Sequence, residues 1–166
     1  MDTSEKAHIE VKRSQSVEDQ AWLKQLWLNE WGGDIMVSRG SLYRFEDVKA
    51  VIAWIDGTRA GAATYAFNTG ECELTSINAV ATGSGIGSKL LSFVEQQTFE
   101  AGLRRVWLIT TNDNMDALRF YQNRDYRIKA VHVNAVDEAR KLKPIIPLIG
   151  YYGIPVRDEI ELEKLL

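Results

Sequence analysis

Ile77-Asn-Ala-Val-Ala-Thr82-Gly-Ser-Gly85-Ile-Gly87-Ser88 joins a stretch with strand-like alternation to one with helical spacing. Upstream, Glu71 to Val80 reads as a strand. Downstream, Ile86, Leu90, Phe93, Val94 and Ala101 recur at helical steps until Gly102. The first turn of a helix leaves its N–H groups without helical acceptors, and the helix dipole adds positive potential there. Glycines on the approach let a phosphate come close to those donors, so this turn is a candidate diphosphate cradle. Taken alone, it reads equally well as a tight connection without a ligand.

Working outward, Val51 to Asp56, Ala60 to Phe67 and Glu71 to Val80 are separated by Gly57-Thr58 and Asn68-Thr69-Gly70, which predicts an antiparallel meander. Arg105 to Thr110 is a nearly continuous apolar run, as expected of a strand reached by a helical crossover and buried on both faces. A short strand over residues 7–13 precedes a helix capped by Ser16 and closed at Gly32-Gly33. Residues 32–46 read as a loop with a short helix. A helix over 114–123, a strand over 126–133 and a helical piece over 135–141 follow. In the tail, 154–163, Ile154, Val156, Ile160 and Leu162 share a row with Asp158, for which a cationic or backbone partner is expected. Glu159, Glu161 and Glu163 form a wet face. The expectation is one mixed-sheet α/β domain over residues 1–166.

Composition narrows the function. The chain has 166 residues, 26% of them charged, and 20 Lys plus Arg against 23 Asp plus Glu give a net charge of −3. That balance argues against a nucleic-acid partner. No long apolar run suggests a membrane span. The single cysteine, Cys72, precludes an intrachain disulfide and, with a polar start, points to a cytoplasmic protein. Its parity on the strand puts it under a helix rather than in a nucleophile's position. His8 and His132 stand far apart, so no metal site is expected. The Walker pattern fails because Ser88, not Lys89, follows Gly87. A nicotinamide fingerprint fails because Ser88 falls where the third glycine belongs, and because the turn follows a meander.

The stretch 77–87 resembles the acyl-CoA-dependent N-acetyltransferases of the GNAT superfamily, whose signature runs from a Val or Ile of the fourth strand to Arg or Gln, two residues, then Gly-x-Gly. The same family usually carries Asn-x-x-Ala-x-x-x-Tyr on the helix after the next strand; this chain has Asn114-Met-Asp-Ala117-Leu-Arg-Phe-Tyr121. The two motifs stand in the right order, about thirty residues apart. The resemblance implies a mixed, mainly antiparallel central sheet flanked by helices, with a strand-loop-helix pyrophosphate cradle, and acetyl-CoA as acyl donor. The implied cofactor contacts are Ile77, Ala79, Thr82, Gly83, Ser84, Gly85, Ile86, Gly87, Ser88, Asn114 and Ala117. Two positions depart from the family. Thr82 replaces the usual Arg or Gln, and Asp125 stands where glycine is common before an aromatic, which threatens the local turn.

Acyl transfer to an amine needs a base for the amine, a donor for the developing oxyanion and an acid for the leaving sulfur. A phenol stays protonated at neutral pH, so Tyr121 is the candidate acid; Asn114, Ala117 and Tyr121 share one helical face. The family's oxyanion donor is a fourth-strand backbone N–H, placed here near Ile77 to Ala79. Strand alternation puts Glu71, Glu73, Thr75 and Ile77 on one face, with Glu73 the candidate base and Glu71 second or a substrate contact. Trp31, Arg39 and Asn112 are candidate substrate contacts, Arg39 for a substrate carboxylate. The expected reaction is acetyl transfer to a primary amine by direct attack in a ternary complex; the alternative is a non-catalytic acyl-CoA-binding module. The partner would be a small-molecule or peptide amine, and a homodimer is left open.

Overall fold

Two tight turns set the centre of the molecule. Asp56 and Gly57 take φ 48° and 80°, and Thr69 and Gly70 take 45° and 79°; two successive positive φ values match the right-handed twist of the strands they join. The computed structural model describes residues 7–80 and 85–166. Its strands and helices are β1 (Ile9–Arg13), α1 (Val17–Trp31), β2 (Ile35–Ser38), β3 (Ser41–Arg44), β4 (Lys49–Ile55), β5 (Thr58–Asn68), β6 (Glu71–Ala79), α2 (Ile86–Glu100), β7 (Arg105–Thr111), α3 (Met115–Gln122), β8 (Arg127–His132), α4 (Ala135–Leu142) and β9 (Glu159–Leu165). The main sheet has the order β1-β4-β5-β6-β7-β9-β8, with β2 and β3 forming a separate hairpin. β6 and β7, joined through α2, are parallel; the other pairs are antiparallel. This is the expected mixed, mainly antiparallel α/β architecture. No described helix is long and apolar enough to cross a membrane.

Each face of the sheet carries its own core. Val51, Ala63, Leu74 and Val106 pack against Leu90, Leu91 and Val94 of α2 and Leu118 and Tyr121 of α3. On the other face Ile52 and Ala62 meet Leu23, Leu26 and Trp27 of α1, with Phe45 edge-on to Trp27 at 5.6 Å. Cys72 is fully buried in the first core, as its parity suggested, and burial pushes its thiol up to about 11. α1 begins in a capping box: Ser16 Oγ accepts the Asp19 N–H at 3.0 Å and the Asp19 carboxylate accepts the Ser16 N–H at 3.3 Å. Gly32, at φ 69°, ends it.

Three expectations need correction. Residues 32–46 are not a loop with a short helix but the β2–β3 hairpin followed by a single 3-10 turn at Phe45–Asp47. Arg39 and Gly40 turn it with φ 47° and 77°, and arginine is a poor sequence marker for that conformation. The tail becomes a strand only at Glu159, and its acids do not form a wet face: Glu159 is 3% and Glu161 4% exposed, because the β2–β3 hairpin contributes Arg39 over them. Finally, alternation along β6 breaks. Tyr65 pairs with Leu74 and Thr64 with Ser76, leaving Thr75 as the extra residue of a bulge. A bulge reverses the parity beyond it. Ile77 therefore packs on the α2 core, opposite Glu73, and Asn78 turns to the α1 face, where Oδ1 accepts the Trp31 Nε1–H at 3.1 Å.

Candidate active site

β6 and β7 pair only at Cys72↔Val106 and Glu73↔Trp107, then part. Beyond Glu73 the β7-facing edge of β6 has no strand partner, and the gap opens into a cavity of about 450 Å³. Ile77, Asn78 and Ala79 form one wall and Gly85 to Ser88 of α2 another; Asn114, Ala117 and Tyr121 close it from α3, and Trp31 lines it from the α1 side. Sequence-distant candidates thus converge on one slot. Thr82, Gly83 and Ser84 lie outside the described residues.

The α2 end of the slot is rich in donors. Gly85 precedes the helix at φ 80°, and among the described residues the first N–H of α2 with a backbone acceptor is that of Lys89, bonded to Gly85 O at 3.2 Å. The first turn of α2 contains no acid. A Cβ at Gly87 would stand 3.1 Å from the Phe120 ring, so glycine lets α2 and α3 approach closely at the slot. N–H groups without a backbone acceptor among the described residues, no carboxylate in that turn and glycine at 85 and 87 fit a diphosphate.

α3 presents its predicted face. Asn114 caps the helix, its Oδ1 accepting the Ala117 N–H at 3.2 Å, while still lining the slot. Tyr121 is 8% exposed, packed edge-on against Phe120 at 5.1 Å and Tyr126 at 5.6 Å, and its hydroxyl has no partner among the described residues. Burial pushes that phenol further up, so it stays protonated. The helix ends in a Schellman turn: Tyr126 N–H bonds Tyr121 O at 3.1 Å and Asp125 N–H bonds Gln122 O at 3.3 Å. Asp125 holds the left-handed position at φ 68°, so the turn survives without glycine.

Glu73 sits where the strands begin to part, on the α1 face, and is 2% exposed. Burial raises its carboxyl above the ordinary range; Ser38, the Tyr43 hydroxyl and Arg39 oppose that rise, and nearby Glu159 adds to it. Tyr43 donates to Glu73 and accepts from Asn68 Nδ2 at 3.1 Å. Ser38 Oγ lies beside the carboxylate but makes no hydrogen bond of proper geometry. Glu159 is also raised by burial, offset by the Arg39 N–H at 3.1 Å. Next to it, Glu161 meets Arg39 at 3.0 Å, Arg105 at 2.7 Å and His132 at 3.1 Å.

The other candidates are engaged elsewhere. The Arg39 guanidinium lies on Glu161, and Glu71 pairs with Arg105 at 2.8 Å. Asn112 spends its amide on backbone, donating to Pro155 O at 2.9 Å and accepting the N–H groups of Arg157 and Asp158 at 2.9 and 3.0 Å. Asp158 finds the backbone partner expected of it, the Asn134 N–H at 2.8 Å. Sequence reasoning missed Tyr43, Glu159 and Arg124. Only Arg124 carried a signal, three residues after Tyr121 and just past the end of its helix.

Comparisons with known proteins agree with this geometry. The family model described as the acetyltransferase (GNAT) family matches residues 15–126. The Bacillus subtilis (strain 168) protein YxbD, whose name carries no activity, is 41% identical over 137 residues, covering 82% of this chain and 86% of YxbD. Among solved structures, a Bacillus subtilis acetyltransferase in complex with CoA has a TM-score of 0.72 at 18% identity, covering 96% of this chain and 99% of its own. A GNAT family acetyltransferase from Elizabethkingia anophelis with acetyl-CoA bound has a TM-score of 0.70 at 18% identity, covering 95% and 98%. At such identities the structural likeness speaks to the fold. With the family match spanning more than half of its length, the chain belongs to the GNAT acetyltransferase family.

Proposed function

We propose that this protein transfers the acetyl group of acetyl-CoA to a primary amine by direct attack in a ternary complex. One observation carries the reading: a single slot runs from the N-terminal turn of α2, along the edge of β6 that leaves β7, to Tyr121 on one face of the sheet, with Glu73 on the other face where the strands part. Bound acetyl-CoA supplies an activated acyl carbon and a thiolate leaving group.

The chain's own groups divide the rest. Glu73, raised by burial, accepts the amine proton through water, since its carboxylate is sealed from direct contact. Backbone N–H groups along Ile77 to Ala79 receive the developing negative charge. As the C–N bond forms and the C–S bond breaks, Tyr121 gives its proton to sulfur. Asn114 and Ala117 shape the wall beside it.

Replacing Tyr121 by Phe removes the proton and little volume. Turnover, read as thiol released across a panel of amines, is expected to fall about 100-fold, with the Kd for CoA within a factor of about three. Unchanged turnover removes Tyr121 from the mechanism. CoA binding without turnover of any amine by the unmodified protein would turn the reading to a non-catalytic acyl-CoA-binding module.

A further inference from the structure

Arg124 stands just past the C-terminus of α3, where a cation is favourable, but reaches across to the N-terminal turn of α2, where it is not. Its Nε and Nη2 donate to Ser88 Oγ at 2.9 and 2.6 Å, which seats a guanidinium beside the first turn of α2. Cations are unfavourable at a helix N-terminus because the dipole there is already positive. No carboxylate pairs with Arg124 among the described residues, and the first turn of α2 has no acid. Asp116, at the rim of the cavity, is taken by the Tyr152 hydroxyl at 2.7 Å.

Nor is the arginine a loose surface chain. Its Cζ stands over the Phe120 ring, 3.8 Å from the centroid, and its Nη1 donates to Phe120 O at 2.9 Å. A guanidinium has five N–H donors, so these bonds leave two unspent. Arg124 lines the same cavity as Tyr121, whose hydroxyl, on a side chain only 8% exposed, has no partner among the described residues. Residues 79–88 meanwhile contain no charged or amide side chain. Lys89 follows in α2, but among the described residues that line the slot Arg124 is the cation.

We infer that Arg124 is the cationic ligand of the cofactor's diphosphate, which it grips together with the α2 N–H groups and the Ser88 hydroxyl. It supplies a long cationic side chain, which the sequence does not offer at Thr82, where the family usually has Arg or Gln. Two like-signed partners, helix end and guanidinium, are reconciled when a dianion sits between them. The inference rests on the proposal that acetyl-CoA is the acyl donor.

Calorimetric binding of CoA, 3′-dephospho-CoA and pantetheine to the wild-type protein and to Arg124→Ala and Arg124→Gln tests it. Both variants are expected to lose about 10- to 100-fold in affinity for CoA and 3′-dephospho-CoA alike. Pantetheine binding should stay unchanged, and the variants' CoA affinity should depend less steeply on salt. Arg124→Gln keeps a polar, uncharged amide of shorter reach, and an unfolding temperature without ligand equal to wild type excludes a folding defect. Unchanged Kd values, or a loss confined to CoA with its 3′-phosphate, would overturn the assignment while leaving the acyl-transfer reading intact. No binding of CoA by the wild-type protein would overturn both.

Discussion

Glu73 carries a carboxylate in a place that disfavours charge, and that has a sign in pH. Its folded-state affinity for a proton is raised by burial, so between the ordinary carboxylate value and the raised one the folded chain holds a proton that the unfolded chain has released. Its contribution to stability is then full below the ordinary carboxylate range and is lost as pH rises through the folded value. Against wild type, Glu73→Gln is expected to gain in relative stability from pH 4.5 to pH 8, read by urea unfolding across pH; a constant difference would mean that Glu73 is charged throughout. At this scale the sequence was legible where spacing alone decides. Asn114, Ala117 and Tyr121 fall on one face of any helix, and they line the slot. Tyr43 was not legible, because its bond to Glu73 depends on where a separate hairpin lands.

The extra residue in β6 shows how an element can redirect chemistry without changing composition. A two-residue rule put Ile77 beside Glu73, and the bulge at Thr75 put Asn78 on that face instead. The Thr64 hydroxyl bonds those of both Thr75 and Ser76 at the bulge, a polar signal too common in strands to mark one in advance. β9 is the second case. Alternation correctly assigned Ile160 and Leu162 to a core, but could not tell that the acidic face would be roofed. Arg105 holds that face together through Glu71 at 2.8 Å, Glu161 at 2.7 Å and Glu163 at 2.5 Å, and holds the Glu163 carboxyl below its ordinary range. Arg105→Leu leaves the buried Glu161 with less compensation and is expected to cost about 3 kcal/mol in urea unfolding, part of it recovered by adding Glu161→Gln. A cost near zero would show that Arg39 and His132 suffice.

At the scale of the molecule, the architecture followed from turns and one crossover. Tight turns joined β4, β5 and β6 as antiparallel neighbours, and the α2 crossover could only return β7 parallel to β6. The parting of those two strands was not legible, since it depends on β7 continuing with β9 while β6 continues with β5. That parting leaves a slot reached from both sides of the sheet, by Trp31 and Asn78 on one and by Asn114 and Tyr121 on the other. In the reaction proposed above, donor and acceptor use separate doors. Neither has to depart before the other arrives, so initial velocities measured at several fixed concentrations of one reactant should give reciprocal plots that intersect, whereas parallel lines would betray an acylated enzyme released between two half-reactions.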